Sequence, residues 1–380
     1  MKILIIPSWY PYPGNPLAGK FFIDQASALA KHTGHDYYLL NFGQNEYQLR
    51  LKQPGLIPGK LRSFLSARSQ TRQLAERLWE ISIPHLSWTN YINKGNLDRL
   101  TLPLDLQVDL IYALVSYPAG YLAMRLARQM RVPYLIAEHS GPFPFPQFLK
   151  GGRLSPLILE PIQKANKVIA ISSFLQSQIL EHTGITADII PNMVDTDFFV
   201  PAKHKSPAQS LRLFSMSAFT AAKGTLELLK ALHILARRNL DFEMVWAGEG
   251  ALQRQIMQKA ARLPIRFPGT LKPLQALKEY QSCDLYVMPS RIESFSMVLI
   301  EAMSCGVPAV ATSCGGPKDI VTAQTGILCE PQNAGALAKA ILEYHSRSSD
   351  FDPVQIRSQC VKLYSEGQVC AQLNDIFERF

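Results

Sequence analysis

Cysteine is scarce in this chain and is confined to its second half. The sequence has six cysteines, and none of them forms a C-x-x-C pair. No grouping of cysteine, histidine and aspartate has the spacing of a zinc site either. These absences argue against a disulfide framework and a zinc module, and several cysteines lie in apolar surroundings that are typical of reduced core thiols. We expect no bound metal.

Long uninterrupted apolar runs are also lacking. The most apolar long window, 110–127, is broken by Ser116, Pro118 and Gly120, so the sequence predicts no transmembrane helix. The opening MKILIIPSWYPYP has a short apolar run that ends in proline and aromatic residues without a small-residue cleavage site. This pattern favours a first β-strand over a signal peptide. We therefore expect a cytoplasmic protein.

Charge is modest and is not concentrated in one arm. Of the 380 residues 18% are charged and 47% are apolar, with a formal net charge of +9. This composition is that of a folded globular protein, and the length favours two domains. The basic balance suits anionic partners such as nucleotide phosphates or an acidic membrane surface. Without a compact basic arm, nucleic acid is not expected as a partner.

Short apolar strands alternate with longer helical patterns in both halves. The strand patterns lie at 2–6, 36–40, 110–115, 133–138 and 167–171, and then at 211–217, 242–247, 265–269, 284–289 and 308–312. The helical patterns lie at 19–31, 119–130, 225–238, 272–282, 296–305 and 334–346. Such alternation is typical of parallel sheets covered by helices on both faces. The sequence therefore predicts an α/β protein with two doubly wound, Rossmann-like domains, whose ligands bind at the carboxyl ends of the strands.

The domain boundary is predicted within 191–210, a stretch rich in proline, serine and charge. This gives an amino-terminal domain over 1–200 and a carboxyl-terminal domain over 201–354. We interpret 355–380 as one amphipathic helix, and whether it packs back on the first domain is left open by the sequence.

The segment 290–316, SRIESFSMVLIEAMSCGVPAVATSCGG, holds two glutamates eight residues apart, Glu293 and Glu301. It is predicted to form a turn and then a helix that Ser296 caps at its start and Gly306 ends. The free N–H groups at such a helix start can bind a phosphate. Because Glu301 lies inside an apolar run it needs a partner, and a ribose diol would supply two donors. The alternative is that both glutamates are solvated surface acids.

A second strand–turn–helix edge is predicted in SMSAFTAAKGTLELLKAL, residues 215–232. Lys223 and Gly224 fall at the turn, and a lysine there can neutralise a diphosphate as a compact point charge. A solvated lysine at a helix start is the alternative.

The pattern E-S-F-S-M-V-L-I-E-A, after P-S and before C-G-V-P-A-V-A-T, resembles the E-x7-E signature of glycosyltransferase family 4. The stretches SWYPYPGNPLAGKFFIDQASALAK, YPAGYLAMRLARQMRVPYLIAEHS, IPNMVDTDFF, WAGEG, RFPGTLKP and TGILCEP resemble further landmarks of the family. The resemblance implies a GT-B fold, in which two Rossmann-like domains face a central cleft, and a retaining transfer from a nucleotide-sugar, with uridine as the expected base.

The resemblance also implies roles for individual residues. Glu293 and His139 would be the catalytic residues, both near the transferred sugar. Glu301 would accept from the ribose hydroxyls and Lys223 would bind the diphosphate. The remaining donor contacts would come from the backbone around Ser294, Phe295, Ser296, Met297 and Val298 and from Leu271 at the base. Gly19 and Lys20 would belong to a loop near the diphosphate and the acceptor.

The chain departs from the family pattern at three of these positions. Ser296 and Lys20 stand where the family has glycine, and Ala218 stands where it has an arginine five residues before the lysine. One of the two usual diphosphate cations is therefore missing. Either Arg291 replaces it, or binding relies on Lys223 and the helix amides.

Two further features admit a ligand. Asp195-Thr196-Asp197 spells D-x-D, a metal motif in another glycosyltransferase class, but it lies in the segment that resembles the linker entry, so we do not expect metal binding there. The basic stretch 50–77 is either a solvated helix face or a contact with an anionic membrane surface.

These observations predict a glycosyltransferase that moves a sugar from a nucleotide diphosphate, without a cofactor, to a glycan or lipid-linked acceptor. The sequence leaves open a sugar-nucleotide epimerase or a glycan phosphorylase of the same fold, and a nucleotide-sugar-binding protein without catalysis.

Overall fold

The protein, represented by a computed structural model, is described over residues 1–12, 15, 17–43, 69–83, 106–204 and 209–380. It divides into two compact units. The first unit comprises the described residues of Met1–Ile171, Leu175–Ile190 and Cys370–Phe380. The second comprises Ser172–Phe174 and the described residues of Pro191–Val369.

The first unit is built on a sheet whose order is β10-β9-β6-β5-β1-β2-β4-β3. Its strands are β1 (Lys2–Pro7), β2 (Asp36–Asn41), β3 (Gln70–Ala75), β4 (Leu78–Ser82), β5 (Leu110–Leu114), β6 (Tyr134–Glu138), β9 (Lys167–Ala170) and β10 (Asp188–Ile189), and β7 (Leu149–Lys150) and β8 (Arg153–Leu154) form a separate hairpin. All the pairs in the large sheet are parallel except β3 with β4. Every residue of β5 and β6 is buried, which explains their continuous apolar sequences.

Helices cover this sheet. They are α1 (Lys20–His32), α2 (Tyr121–Met130), α3 (Pro156–Lys164) and α4 (Ser173–Thr183). In α1 the buried Phe22, Ala26 and Leu29 recur at intervals of four and three residues, the spacing of one helix face.

The second unit has a sheet of parallel strands in the order β13-β12-β11-β14-β15-β16. The strands are β11 (Leu211–Met216), β12 (Phe242–Ala247), β13 (Ile265–Arg266), β14 (Leu285–Met288), β15 (Ala309–Thr312) and β16 (Gly326–Cys329). The helices are α5 (Thr225–Arg237), α6 (Gln253–Lys259), α7 (Pro273–Ser282), α8 (Met297–Ser304), α9 (Pro317–Ile320), α10 (Ala334–Ser346), α11 (Pro353–Tyr364) and α12 (Glu366–Phe377), which ends in the first unit. The order places the carboxyl ends of β11 and β14 side by side, with β14 next to β15.

Each predicted strand and helix pattern overlaps an observed element of that type. The β3–β4 hairpin is the main addition, and it falls partly in the basic stretch 50–77, for which a helix face and a membrane contact were the two alternatives. Gln70–Ala75 is an almost fully exposed edge strand and not a helix. The sequence QTRQLA lacks the alternation that marks a half-buried strand.

The carboxyl-terminal tail is two helices, so the prediction of one continuous helix over 355–380 is wrong. The break is at Ser365, which is extended and forms a parallel bridge with Val194. The second unit begins at Pro191, within the predicted boundary stretch 191–210, and inside this unit the amide of Val194 donates to the carbonyl of Tyr364. Within the tail, Cys370–Phe380 belongs to the first unit, where Phe377 packs against Tyr112.

Across the described ranges, none of the helices combines the length and the apolar character that crossing a membrane requires.

Candidate active site

Lys223 lies at the carboxyl end of β11, on a single turn over Ala221–Lys223 that leads into α5. The turn depends on Gly224, whose φ is +64°. A Cβ atom on Gly224 would lie 1.8 Å from the carbonyl oxygen of Pro289. Glycine is therefore required by both the backbone angle and the close approach of the next edge. The approach brings Lys223 to the loop that follows β14.

Glu293 lies on that loop and its backbone is fixed by the segment after β15. The amide of Glu293 donates to the carbonyl of Cys314, and the carbonyl of Glu293 accepts from the amide of Gly316. Gly315 has a φ of +123°, and a Cβ atom there would lie 2.5 Å from the carbonyl oxygen of Glu293. The C-G-G sequence at the end of the segment 290–316 thus holds the glutamate in place.

The side chains of Lys223 and Glu293 form an ion pair. The Nζ atom of Lys223 donates to Oε2 of Glu293 at 2.5 Å, and the two side chains are 33% and 21% exposed. Both line a cavity of about 290 Å³ in the second unit, together with Ser296, Met297 and Val298. Lys223 is the one cation and Glu293 the one anion in this lining of described residues. The cavity therefore pairs a positive group with the start of α8, an arrangement suited to an anion.

Ser217 adds an unused polar group to the same cavity. It follows β11 directly, and its Oγ atom is buried and has no hydrogen-bond partner among the described residues. A buried hydroxyl without a partner is costly. A bound polar ligand would satisfy it.

The start of α8 differs from the prediction. The side chain of Ser296 makes no capping hydrogen bond; its Oγ atom donates to Sδ of Met288 at 3.2 Å. Ser296 therefore occupies the predicted N-cap position, but its side chain does not cap the helix. Ser296 has a φ of +117°, a conformation that L-residues rarely adopt and that explains why glycine is the family residue here. Gly306, which is predicted to end the helix, follows its last turn and has a φ of +72°.

Glu301 is half-buried on α8, and its partner is one that the sequence analysis missed. Oε2 of Glu301 accepts a hydrogen bond from the hydroxyl of Tyr280 on α7 at 2.8 Å. Burial raises the pKa of the Glu301 carboxyl from 4.5 to about 7, and the hydrogen bond from Tyr280 opposes this rise. The sequence indicates only that α7 is amphipathic and so gives no sign of this contact.

Arg291 does not line the cavity. Its guanidinium donates to Oε1 of Glu227 on α5 at 2.5 Å, and its amide donates to the carbonyl of Ala222. Of the two explanations for the missing family arginine at Ala218, this pairing favours the one in which Lys223 and the helix amides bind the diphosphate. Arg291 instead links the loop after β14 to α5 and to the turn before it.

Four predicted donor residues do not line the cavity: Glu301, Ser294, Phe295 and Leu271. The carbonyl of Ser294 accepts from Oγ of Ser172 at 2.6 Å, and Phe295 is buried against the ring of Tyr364. Leu271 is half-buried between β13 and α7.

Gly19, Lys20 and His139 belong to the first unit. Gly19 has a φ of +65°, and a Cβ atom there would lie 2.2 Å from the carbonyl oxygen of Trp9. The ammonium of Lys20 forms an exposed ion pair with Asp24 on its own helix. The ring of His139 packs against those of Phe21 and Phe22, which brings the predicted histidine and the Gly19 loop together.

The position of His139 is set by its neighbour Glu138, which is fully buried at the end of β6. The Glu138 carboxylate accepts hydrogen bonds from the amides of Ser116, His139 and Ser140 at 2.9 to 3.0 Å. Three amide donors satisfy the buried charge. The sequence analysis missed this role.

The D-x-D sequence forms a local turn, in which Oδ1 of Asp195 accepts from the amides of Asp197 and Phe198. In the parts of the chain that the structure describes, no group of three or more His, Cys, Asp and Glu residues is arranged as a metal site. Of the basic stretch 50–77, residues 50–68 lie outside the described residues. Arg72 pairs with the buried Glu80 at 2.8 Å.

Comparison with known proteins identifies relatives of both units. The model of Glycosyltransferase Family 4 matches residues 18–198, and that of Glycosyl transferases group 1 matches residues 210–347. An uncharacterized glycosyltransferase of Methanocaldococcus jannaschii is 27% identical over 62% of this chain and 65% of its own length. The GDP-mannose-dependent alpha-(1-6)-phosphatidylinositol dimannoside mannosyltransferase of Mycobacterium tuberculosis is 26% identical over 52% of this chain and 53% of its own. The matches thus span about half to two thirds of these curated relatives.

Among solved structures, Anabaena HepE in complex with UDP matches with a TM-score of 0.70 and 18% identity over the full length of both chains. The two parallel sheets and these neighbours define a GT-B fold, which confirms the fold prediction. The two family models together cover most of the chain. It carries a Glycosyltransferase Family 4 domain followed by a Glycosyl transferases group 1 domain.

Proposed function

We propose that this protein transfers a sugar from a nucleotide diphosphate to a hydroxyl of a glycan or lipid-linked acceptor, in the synthesis of a cell-surface polysaccharide or glycoconjugate. The observation that carries the proposal is the ion pair of Lys223 and Glu293 in a cavity at the start of α8. A cation, free helix amides and a carboxylate at one strand edge suit a diphosphate with a sugar attached.

In the proposed reaction the bond between the sugar and the diphosphate breaks through a transition state in which the sugar resembles an oxocarbenium ion. Lys223 and the amides at the start of α8 stabilise the charge that develops on the leaving diphosphate, so no metal is required. Glu301 accepts from the ribose hydroxyls, and Glu293 stabilises the sugar near its reacting carbon. The leaving phosphate accepts the proton of the attacking hydroxyl, and the anomeric configuration is retained.

The first unit supplies the acceptor side in this proposal. His139, held by the Glu138 amide cluster, approaches the donor sugar, and the Gly19 loop contributes to the diphosphate and acceptor sites. A cytoplasmic protein that meets the inner membrane surface fits a lipid-linked acceptor, and the basic balance of +9 is compatible with that surface.

UDP is the first candidate for the donor nucleotide because HepE was solved with UDP, and GDP is the second because the mycobacterial relative is GDP-mannose-dependent. A thermal-shift screen against UDP, GDP and their sugars identifies the donor, since a ligand that binds the folded state raises its stability.

The test of the activity is the transfer of labelled sugar from that donor, with and without glycan and lipid-linked acceptors, in the presence of EDTA. Transfer that depends on acceptor and is reduced in Glu293→Gln supports the proposal. An epimerase instead converts the donor sugar without an acceptor, a phosphorylase requires inorganic phosphate or a sugar phosphate, and a binding protein gives no turnover. Any of these results would replace the proposed function.

A further inference from the structure

We propose that Tyr280 is a positioning residue for the donor, because its hydroxyl fixes the Glu301 carboxylate so that one oxygen is held and the other is presented to the ribose. This inference rests on the proposed function, in which Glu301 recognises the ribose hydroxyls. Neither the family signature nor the spacing of the two glutamates includes Tyr280.

The ring of Tyr280 is held rigidly. It is fully buried on α7, with ring centroids 5.0 Å from Phe214, 5.6 Å from Tyr286 and 6.0 Å from Phe199. The pairs with Phe214 and Phe199 are edge to face, which is a favourable packing, and the pair with Tyr286 is tilted. The hydroxyl therefore occupies a defined place below α8.

The Tyr280 hydroxyl has one proton and two acceptors near it. Oε2 of Glu301 is at 2.8 Å, and the carbonyl oxygen of Val298 is at 3.3 Å. The shorter contact, to the more basic acceptor, takes the proton. Of the described residues, Tyr280 is the one that donates to this carboxylate, so Oε1 keeps its capacity to accept from a ligand.

The charge of Glu301 depends on the same contact. Burial raises the pKa of the carboxyl to about 7, and the hydrogen bond from Tyr280 lowers it. Removal of the hydroxyl therefore raises the pKa further, so that more of the carboxyl is neutral near pH 7. A neutral carboxyl accepts more weakly from the ribose.

On α7 itself, Lys278 is exposed and Glu279 pairs with Arg266 at 2.7 Å. The other titratable and charged groups around Glu301 come from the further elements packed on α8, which are β14, β15, α9 and α11. Burial raises the pKa of Tyr286 on β14 and of Cys305 at the end of α8, so both are neutral near pH 7. β15 contributes no charged residue. On α9, Asp319 accepts from Ser173 and Lys318 is exposed, and on α11 burial raises the pKa of Cys360. Arg357, also on α11, donates to the carbonyls of Thr196, Phe199 and Ser304.

The experiment compares Tyr280→Phe with wild type by calorimetric titration of UDP, GDP and their 2′-deoxy counterparts between pH 6 and 8.5. Phenylalanine keeps the ring and removes only the hydroxyl. We expect affinity for the ribonucleotide that binds wild type to fall about threefold to tenfold at pH 7.5, the range of one hydrogen bond. Affinity for its 2′-deoxy counterpart should change less. The rise of affinity with pH, centred near 7 in wild type, should shift to higher pH.

Tyr344→Phe is the matched control. Tyr344 is a buried tyrosine of the same unit, and its hydroxyl donates to the carbonyl of Asp284 at 2.7 Å. This variant loses a buried hydroxyl away from Glu301 and should keep wild-type affinity and pH dependence. If Tyr280→Phe and Tyr344→Phe weakened the binding of the ribonucleotide and of its 2′-deoxy counterpart equally, a general loss of packing would explain the result and the proposal would be overturned.

Glu301→Gln separates the inference that Tyr280 positions Glu301 from the proposal that Glu301 binds the ribose. If it weakens ribonucleotide binding while Tyr280→Phe leaves the affinity and its pH midpoint unchanged, the inference about Tyr280 is wrong and the donor site stands. If Glu301→Gln also leaves binding unchanged, the assignment of Glu301 in the proposed function is wrong as well.

Discussion

Replacement of Glu293 by glutamine is expected to strengthen the binding of a nucleoside diphosphate while it weakens sugar transfer. In the structure the carboxylate of Glu293 is the counter-ion of Lys223, at 2.5 Å. A diphosphate must therefore compete with Glu293 for the only cation in the described lining of the cavity. Glutamine keeps the shape and removes the competing charge.

The size of the effect follows from the exposure of the pair. With side chains 33% and 21% exposed, the pair lies between the surface and the interior, and we take its strength as about 1 kcal/mol, the upper end for exposed pairs. Because about 1.4 kcal/mol is a factor of ten, the affinity for UDP or GDP should rise about fivefold. The gain should shrink as salt is added, since partly exposed charges are screened.

The assay is calorimetric titration of UDP and GDP at low and high salt, alongside the transfer rate from the matching nucleotide-sugar. Glu343→Gln is the control, because it removes one negative charge from α10, away from the cavity. Unchanged or weaker diphosphate binding in Glu293→Gln would show that Glu293 does not restrain Lys223. An equal gain in Glu343→Gln would show that net charge alone is responsible.

Three further predictions concern stability. Ser296→Gly should raise the melting temperature by about 2–4 °C. Relief of the +117° φ contributes about 2 kcal/mol and the entropy of glycine costs about 1 kcal/mol, which leaves a net gain of about 1 kcal/mol. A lower melting temperature would contradict the strain at Ser296. Gly224→Ala should lower the free energy of unfolding in urea by about 3 kcal/mol and abolish diphosphate binding. Gly184→Ala is the control and should lower it less, because Gly184 has a similar φ but no atom within 4 Å of the added Cβ. Equal losses of stability in the two variants would show that the Pro289 contact has no role. Without ligand, Glu301→Gln should gain stability relative to wild type as pH rises from about 4.5 to about 7, because the folded carboxyl has the higher pKa and its ionisation disfavours the fold in that window. A difference in melting temperature that does not change with pH would contradict the raised pKa.

Much of the fold could be predicted from the sequence because the central strands of both sheets are parallel and buried. Strands such as Leu110–Leu114 are apolar throughout and are separated by helical patterns, so periodicity identifies them. The edge hairpin at Gln70–Ala75 and the break at Ser365 could not be predicted in this way. The hairpin strand is polar and exposed, and the break depends on the bridge between Ser365 and Val194, which are far apart in the sequence.

The candidate site could likewise be predicted only where it depends on local sequence. Lys223, Glu293 and Glu301 follow local turn and helix signals, and Gly224 is where a positive φ was needed. The contacts that hold them come from residues distant in sequence: Tyr280 for Glu301, Glu227 for Arg291, and Cys314 and Gly316 for Glu293. No local pattern encodes such pairings, since they arise from the order of strands in the sheet.

The most direct test of the donor site is the affinity of UDP and GDP for wild type and for Lys223→Ala, measured by calorimetric titration. Lys230→Ala, an exposed lysine on α5, is the control. The proposed site predicts that one nucleotide binds wild type and Lys230→Ala alike, and that its affinity falls about tenfold or more in Lys223→Ala, as expected for a charged hydrogen bond to phosphate. Equal affinity in Lys223→Ala, or no binding of either nucleotide to the folded wild type, would contradict it.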